Sequence, residues 1–256
     1  MCFDIDSDPP IPIISGAAVT HRDLVLAAED GGLPAAFEAI GGGRVGVVVL
    51  PDVRGLYRFY EELALRLAEH GHDAVVIDYF CRTAGTGKRG EDFDYMPEVR
   101  QTTYEGVRLD TAAAVAHLRA SDRERPVVTL GFCFGGSNSW HQAANGHGLA
   151  GAIGFYGHPN RPGFPQGSPA VMARIAEIEC PILALQGGDD PGIPVEESDA
   201  FRRALTEAGI RNEVVVYEGA PHSFFDRKQA DYAAECADAW ERVLAFLAEV
   251  ASPGAS

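Results

Sequence analysis

The chain has 256 residues, of which 46% are hydrophobic and 23% charged, so its composition is that of an ordinary globular protein and argues against a disordered or membrane-spanning one. Its formal net charge of −16 disfavours nucleic acid and anionic membranes as partners. Five widely spaced cysteines without a C-x-x-C pair, and an acidic N-terminus unlike a secretory signal, predict a cytoplasmic protein. The sequence leaves the oligomeric state open.

Two short strands near the N-terminus, at 21–29 and 35–40, are separated by the turn signal Asp30-Gly31-Gly32. We expect them to pair as an antiparallel hairpin at the edge of a sheet. The apolar run RVGVVVL at 44–50 then follows a second glycine turn. A continuous apolar run of this length is typical of a parallel strand that is covered on both faces.

Strands and helices alternate along the rest of the chain. Their spacing predicts the α/β class, as one doubly wound, mostly parallel sheet over 21–250, between an N-terminal extension (1–20) and a tail (251–256). Helices are predicted over 57–70, 104–119, 195–208 and 229–250, with a weak one at 170–178, and further strands over 74–77, 149–156, 181–186 and 213–217, with one more beginning at Val127.

One long segment, 83–103, interrupts this alternation with glycine, charged residues and aromatics. A stretch of that length without periodicity is unusual inside a compact domain and is usually functional or mobile. We therefore expect it to be a lid loop.

The stretch VVTLGFCFGGSNSW at 127–140 carries the candidate nucleophile, Cys133. A strand, a tight turn and a helix in that order are how hydrolases hold a reactive side chain at a sheet edge. Gly131 and Gly135 permit the close backbone approach of such a turn. The N–H of Phe134 would begin the helix, where unpaired N–H groups and the helix dipole favour an oxyanion and a thiolate. A small buried hydrophobic cysteine fits the same motif.

Two further residues give the motif a chemical context. Asp190 and His222 follow predicted strands downstream of Cys133, in the order nucleophile, acid and histidine that α/β-hydrolases show. Because parallel strands present their ligand-binding loops at one edge, we expect the three side chains to meet there. A solvated or structural imidazole is the alternative interpretation of His222.

These motifs resemble those of the dienelactone hydrolase family, thiol members of the α/β-hydrolase fold. The similarity runs from about residue 35 to 247 and depends on G-F-C-F-G-G at 131–136, G-G-D-D-P-G-I-P at 187–194 and P-H-S-F at 221–224. The segment D-Y-F-C-R at 78–82 is similar to a further family motif. The resemblance implies an α/β-hydrolase fold and hydrolysis of a small lactone or carboxylic ester.

The resemblance also implies roles for individual residues. Asp190, rather than Asp189, matches the family's acid and would orient His222. Cys133 would form a thioester acyl-enzyme, which a water activated by His222 would hydrolyse. The backbone N–H of Val53, with that of Phe134, would form the oxyanion hole. No metal or cofactor is expected, because the other histidines form no ligand set and no dinucleotide or phosphate-binding fingerprint is present.

Substrate-binding residues depart from the family pattern. Asp52 stands where the best-known members carry a glutamate; it either helps to deprotonate Cys133 or is a carboxylate favoured by a helix N-terminus. Arg82 matches an arginine that holds the substrate's carboxylate in the family. A second family arginine is replaced by Asp226, with Arg227 one position later.

Two further residues are candidates for the substrate pocket: Arg54 because of its positive charge, and Tyr156 because of its position at a strand end. The alternative for Arg54 is a structural role, which is more common for such an arginine.

The same residues are compatible with three other functions. The triad could transfer an acyl group to an acceptor other than water. The changes at Asp52 and Asp226 are compatible with a ligand-binding or sensing protein on a hydrolase scaffold. An activated Cys133 could also be the target of regulatory oxidation.

Overall fold

Eight strands form one sheet at the centre of the molecule. The computed structural model describes residues 7–226 and 229–252. The strands are β1 (Thr20–Val25), β2 (Ala35–Ile40), β3 (Gly46–Leu50), β4 (Asp73–Ile77), β5 (Val127–Phe132), β6 (Gly151–Phe155), β7 (Ile182–Gly187) and β8 (Asn212–Tyr217). They are arranged in the order β1-β2-β4-β3-β5-β6-β7-β8. The first two strands run antiparallel to their neighbours and β3 to β8 are parallel, which confirms the predicted edge hairpin and the α/β-hydrolase fold.

Helices cover both faces of this sheet. They are α1 (Arg58–Glu69), α2 (Cys81–Ala84), α3 (Tyr95–Gln101), α4 (Tyr104–Leu118), α5 (Phe134–Gln142), α6 (Val195–Glu207) and α7 (Ala233–Val250), with a 3-10 helix at Val171–Glu177. Within the described ranges, no helix has the length and apolarity needed to cross a bilayer.

The parallel strands are buried because their side chains alternate between two hydrophobic cores. In β3, Val47 and Val49 pack into one cluster, while Val48 and Leu50 pack into the other on the opposite face. All four are fully buried. Each such side chain contributes about 1.5–3 kcal/mol of burial free energy, so a run of β-branched residues is stable here only as a strand covered on both sides.

The predicted lid segment, 83–103, is more regular than its composition indicates. Residues 95–101 form α3, so the expectation of a segment without secondary structure was wrong there. The loop before α3 is held by Arg89, whose Nε donates to Oδ2 of Asp78 at 2.7 Å in an ion pair with both side chains at most 5% exposed. The guanidinium of Arg89 also lies over the ring of Phe93. A buried ion pair and a cation–π contact therefore compensate for the missing apolar periodicity.

The two chain ends were predicted to lie outside the domain. Residues 1–6, with Cys2, and 253–256 of the predicted tail lie outside the described residues. The described part of the predicted extension packs on the domain: Ile11 is buried in the core, and Asp8 forms an ion pair with Arg58 at the start of α1. The extension is thus anchored to the first helix from residue 8 onward.

The carboxyl ends of the parallel strands converge at one edge of the sheet. Loops after β3, β4, β5, β6, β7 and β8 begin there, and they carry Asp52, Asp78, Cys133, Tyr156, Asp190 and His222. Residues far apart in sequence are brought together in this way, at the edge where open α/β sheets bind ligands.

Candidate active site

Cys133 occupies the tight turn between β5 and α5. Its backbone has φ 55° and ψ −111°, and it is the N-cap of α5. A Cβ on Gly131 would lie 1.9 Å from the carbonyl oxygen of Gly135, and a Cβ on Gly135 would lie 1.9 Å from that of Leu50. No side chain fits at either distance. The two glycines therefore permit a turn sharp enough to project the thiol from the sheet edge.

Backbone strain is concentrated at this edge. Among the described residues, three that are not glycine have positive φ: Cys133 at 55°, Tyr156 at 37° and Ser223 at 62°. Each follows the end of a strand or directly follows His222. Such conformations cost about 1–3 kcal/mol each and persist where the surrounding structure determines them, commonly at functional sites.

The imidazole of His222 is bonded to the carboxylate of Asp190. Its Nδ1 lies 2.6 Å from Oδ2 of Asp190, which is 3% exposed. The other oxygen of Asp190 accepts the backbone N–H of Gly192 at 2.8 Å. Burial raises the pKa of Asp190, but the hydrogen bond and charge of His222, together with the Gly192 N–H and the charge of His158, hold that pKa below its ordinary value. Asp189, by contrast, is exposed.

The end of β6 lies between Cys133 and the His222–Asp190 pair. The N–H of Cys133 donates to the carbonyl oxygen of Phe155 at 2.9 Å. The next residue, Tyr156, lies with its ring centroid 4.9 Å from that of His222. The thiol-bearing turn therefore contacts Phe155 and the imidazole contacts the next residue, Tyr156, at the end of β6.

Two backbone segments meet where an oxyanion hole would form. Phe134 is the first residue of α5, where an N–H has no acceptor within the helix. The contact of Gly135 with Leu50 and Pro51 places this N–H beside the loop that carries Val53. Asp52 shapes that loop: its N–H donates to the Tyr60 hydroxyl at 2.8 Å, and its Oδ1 accepts the N–H of Arg54 at 2.8 Å.

Asp52 is fully buried and lies outside any helix, since α1 begins at Arg58. Asp52 is therefore not part of the first turn of α1, and its role toward Cys133 stays a prediction. Burial is the largest cause of the raised pKa of Tyr79, and the negative charges of Asp52 and Asp78 add to it. The hydroxyl of Tyr79 donates to the carbonyl oxygen of Pro51, beside Asp52, at 3.0 Å.

Arg82 is committed to two carboxylates of the protein. Its Nη2 lies 2.7 Å from Oδ1 of Asp110, and its Nη1 lies 2.6 Å from Oδ2 of Asp30. The side chain of Asp110 is 1% exposed, so the pair joins α4 to the turn of the edge hairpin. These two ion pairs occupy the guanidinium and disfavour the substrate-carboxylate role that the resemblance implies, which stays a prediction.

The guanidinium of Arg54 lies near two aromatic rings. Its guanidinium carbon is 5.6 Å from the ring centroid of Tyr57 and 5.8 Å from that of Tyr95 in α3. These contacts connect the loop after β3 to the predicted lid. They are compatible with the structural role that was the alternative to substrate binding.

Tyr156 and Asp226 form a buried pair that the sequence did not indicate. The hydroxyl of Tyr156 donates to Oδ2 of Asp226 at 2.7 Å, and both residues are at most 1% exposed. Asp226 therefore points inward, where the family pattern has an arginine. Arg227, the neighbouring candidate for that charge, lies outside the described residues.

His158 is a second imidazole near His222. Its ring centroid lies 6.3 Å from that of His222, and its backbone N–H donates to Oγ of Ser137 at 2.8 Å. Burial, followed by the charges of Arg161 and His222, lowers the pKa of His158 to about 4. The ring is therefore neutral at physiological pH. Its position after β6 was the available sequence signal.

The described side chains offer no metal site. Outside residues 1–6, 227–228 and 253–256, the structure contains no group of three or more His, Cys, Asp or Glu placed to hold an ion. A cavity of about 300 Å³ lies instead between the edge hairpin and the loop after α2. It is lined in part by Leu24, Asp78 and Lys88, but by none of Cys133, Asp190 and His222, so we do not assign the reaction to it.

Comparisons with known proteins agree with this geometry. The family model described as the dienelactone hydrolase family matches residues 39–251. The carboxymethylenebutenolidase of Rhodococcus opacus is 30% identical over 225 residues, which are 82% of this chain and 83% of that protein. A candidate carboxymethylenebutenolidase of Escherichia coli strain K12 is 30% identical over 78% of this chain and 75% of its own length. The crystal structure of a candidate dienelactone hydrolase from Klebsiella pneumoniae has a TM-score of 0.79 and 26% identity, covering 90% of this chain and 99% of that one.

Proposed function

The chain belongs to the dienelactone hydrolase family, and on that premise we propose that it hydrolyses a small lactone or carboxylic ester through Cys133, His222 and Asp190. The proposed substrate class follows the carboxymethylenebutenolidase names of its relatives. The reaction needs a nucleophile, a proton acceptor and an oxyanion site, and no cofactor.

One observation carries this proposal. A cysteine in a strained strand-to-helix turn lies at the same sheet edge as an imidazole bonded to a buried carboxylate at 2.6 Å. A structural cysteine would need neither the positive φ nor the glycines on both sides. A structural histidine would not need a carboxylate held ionised at the end of a neighbouring strand.

In the first half of the reaction, the sulfur of Cys133 attacks the carbonyl carbon of the ester. The proton of the thiol passes to Nε2 of His222, and the carbonyl oxygen becomes an oxyanion. The N–H groups of Phe134 and Val53 donate to that oxygen. The dipole of α5 favours the thiolate at its N-terminus and the oxyanion beside it.

Collapse of this intermediate breaks the carbon–oxygen bond of the ester and forms a thioester on Cys133. His222 returns its proton to the leaving alkoxide or enolate, which departs as the alcohol or, from a lactone, stays attached to the acyl chain. A water molecule then attacks the thioester while His222 accepts its proton. The carboxylic acid is released, and the proton returns to the sulfur.

Asp190 acts by holding the imidazole. Its bond to Nδ1 favours the tautomer in which Nε2 can accept the proton of the thiol, and its charge stabilises the imidazolium formed in each half-reaction. Because the pKa of Asp190 is lowered, this carboxylate stays ionised over the whole pH range in which an imidazole can act as a base.

The experiment compares Cys133→Ala with Cys81→Ala on a panel of lactones and aryl esters. Cys81 is a matched control, because it also lies at the start of a helix, but burial raises the pKa of its thiol to about 12. We expect Cys133→Ala to abolish turnover and Cys81→Ala to retain it. Undiminished turnover in Cys133→Ala would contradict the proposal.

The same panel separates hydrolysis from the other functions of this scaffold. A sensing protein would bind a ligand stoichiometrically without catalytic cycling, whereas we expect many turnovers per chain. An acyltransferase would give more transfer product as an alcohol or thiol acceptor is added. We expect the free acid to remain the main product at modest acceptor concentrations.

A further inference from the structure

We propose that Tyr156 is a positioning residue that holds the loop carrying His222, a role that rests on the proposed function. Tyr156 follows β6, and its positive φ of 37° places it among the strained residues at this edge. It is fully buried. A bulky residue adopts such a strained backbone conformation only where its contacts hold it there.

Tyr156 contacts three alternate residues of one loop. Its ring lies 4.9 Å from that of His222 and 5.8 Å from that of Phe224, measured between centroids. Its hydroxyl donates to Oδ2 of Asp226 at 2.7 Å. Residues 222, 224 and 226 are thus arranged around a single side chain, which holds this part of the loop between β8 and α7 in place.

The backbone of Tyr156 is fixed as firmly as its side chain. Its N–H donates to the carbonyl oxygen of Leu185 in β7 at 2.8 Å. The preceding residue, Phe155, accepts the N–H of Cys133 at 2.9 Å and packs its ring 4.7 Å from that of Phe225. One dipeptide therefore connects the nucleophile turn to the histidine loop.

Asp190 and the Tyr156–Asp226 pair act on His222 in different ways. Asp190 sets the tautomer and charge of the imidazole, while Tyr156 and Asp226 set the position of its loop relative to Cys133. Displacement of a catalytic group by about 1 Å can cost on the order of 100-fold in rate, so a positioning contact acts on the chemical step rather than on substrate affinity.

The test measures kcat and KM of Tyr156→Phe on an aryl ester. This variant keeps the ring and removes only the hydroxyl that donates to Asp226. We expect kcat to fall about tenfold while KM stays within about twofold, because the substitution displaces the loop of His222 and removes no contact with the substrate. Tyr217→Phe is the matched control, since its hydroxyl donates to Oδ2 of Asp238 at 2.8 Å on the α7 side, and it should keep wild-type kcat.

Two substitutions of the acceptor keep the proposal testable should Tyr156→Phe fold poorly. Asp226→Asn retains an oxygen for the Tyr156 hydroxyl and should keep more activity than Asp226→Ala. Equal activity in the two, or wild-type kcat in a folded Tyr156→Phe, would overturn the positioning role. An equal fall in kcat for Tyr217→Phe would also overturn it, because the effect would then be general destabilisation.

The outcome for Cys133 separates this inference from the proposed function. If Cys133→Ala is inactive while Tyr156→Phe behaves as wild type, the positioning role alone fails. If Cys133→Ala remains active, the proposed function fails, and the role of Tyr156 fails with it.

Discussion

Nδ1 of His222 lies 2.6 Å from Oδ2 of Asp190, across 32 residues of sequence and from the end of one strand to the end of the next. The carboxylate is buried, its second oxygen is bonded to Gly192, and its pKa is lowered although burial alone would raise it. The net direction means that His222, the Gly192 N–H and His158 together stabilise the ionised acid more than burial destabilises it. The pair therefore favours an imidazole held in one tautomer and able to take a proton.

Asp190→Asn is expected to lower kcat by about 10³-fold or more, because an amide can hold the imidazole in the wrong tautomer and supplies no charge for the imidazolium. Asp189→Asn provides the control, since it changes the adjacent, exposed carboxylate. It should stay within about twofold of wild-type kcat, as surface substitutions usually have small effects. Steady-state kinetics on one ester decides between them. Loss of activity in Asp189→Asn instead would mean that the other carboxylate supports catalysis.

Gly135→Ala should destabilise the protein by about 3 kcal/mol or more and abolish turnover, because the new Cβ would meet two backbone oxygens that cannot move aside. Those oxygens, of Leu50 and Pro51, would lie 1.9 and 2.4 Å away. Gly90→Ala is the control, since a Cβ there has open space. Urea unfolding and kinetics measure both effects. A Gly135→Ala variant of normal stability and rate would show that the turn is looser than described.

Arg82→Gln should lower the free energy of unfolding by about 3 kcal/mol, because it leaves the buried carboxylate of Asp110 without its charged partner. The ratio of kcat/KM for carboxylate-bearing and neutral esters should stay unchanged. Arg108→Gln is the control, because Arg108 forms a more exposed ion pair with Glu105 on α4. It should lower the free energy of unfolding by less than about 1 kcal/mol. A selective loss on carboxylate-bearing esters would instead place Arg82 in the substrate pocket.

Stability should fall between about pH 7 and pH 5, because burial lowers the pKa of three histidines, His141, His147 and His158, to about 4 each. Their ordinary value is 6.5, so the unfolded chain binds protons in this window that the folded chain does not. Above pH 6.5 these buried, neutral histidines do not lower the free energy of unfolding. That free energy decreases as the pH falls toward 4, because the unfolded chain then takes up protons that the folded chain does not. Each histidine contributes up to about 2 kcal/mol of that loss by pH 5.

Urea unfolding of the wild type and of His147→Gln at both pH values checks this account. The variant lacks one titrating group, so its stability should depend less on pH. Asp190 does not contribute in this window, because its ordinary pKa of 3.8 is already lower. Equal pH dependence in the two proteins would contradict the assigned role of His147.

The sequence determined the sheet and the family because the relevant signals are local. Apolar runs such as 44–50 are typical of strands covered on both faces, and the glycines around Cys133 permit a tight turn. The α/β-hydrolase fold, the edge hairpin and the dienelactone hydrolase family are all confirmed. The roles of individual site residues stay predictions.

What could not be predicted depends on side chains that meet across the fold. The helix at 95–101 was missed because α3 is held by tertiary contacts near it and carries little apolar periodicity of its own. The partners of Arg82, 28 and 52 residues away, have no local signature. The same is true of Tyr156 and Asp226, which are 70 residues apart. Motif matching predicts a substrate carboxylate as the partner of Arg82, whereas the fold also brings two carboxylates of the protein to it.

The measurement that tests the central claim most directly is peptide mapping by mass spectrometry after rapid acid quench of the wild-type enzyme turning over an activated aryl ester. We predict one acyl group per chain, bound as a thioester to the peptide that contains Cys133, appearing and decaying at rates compatible with kcat. Turnover with no acyl group on Cys133, or with the acyl group on another side chain, would contradict the account.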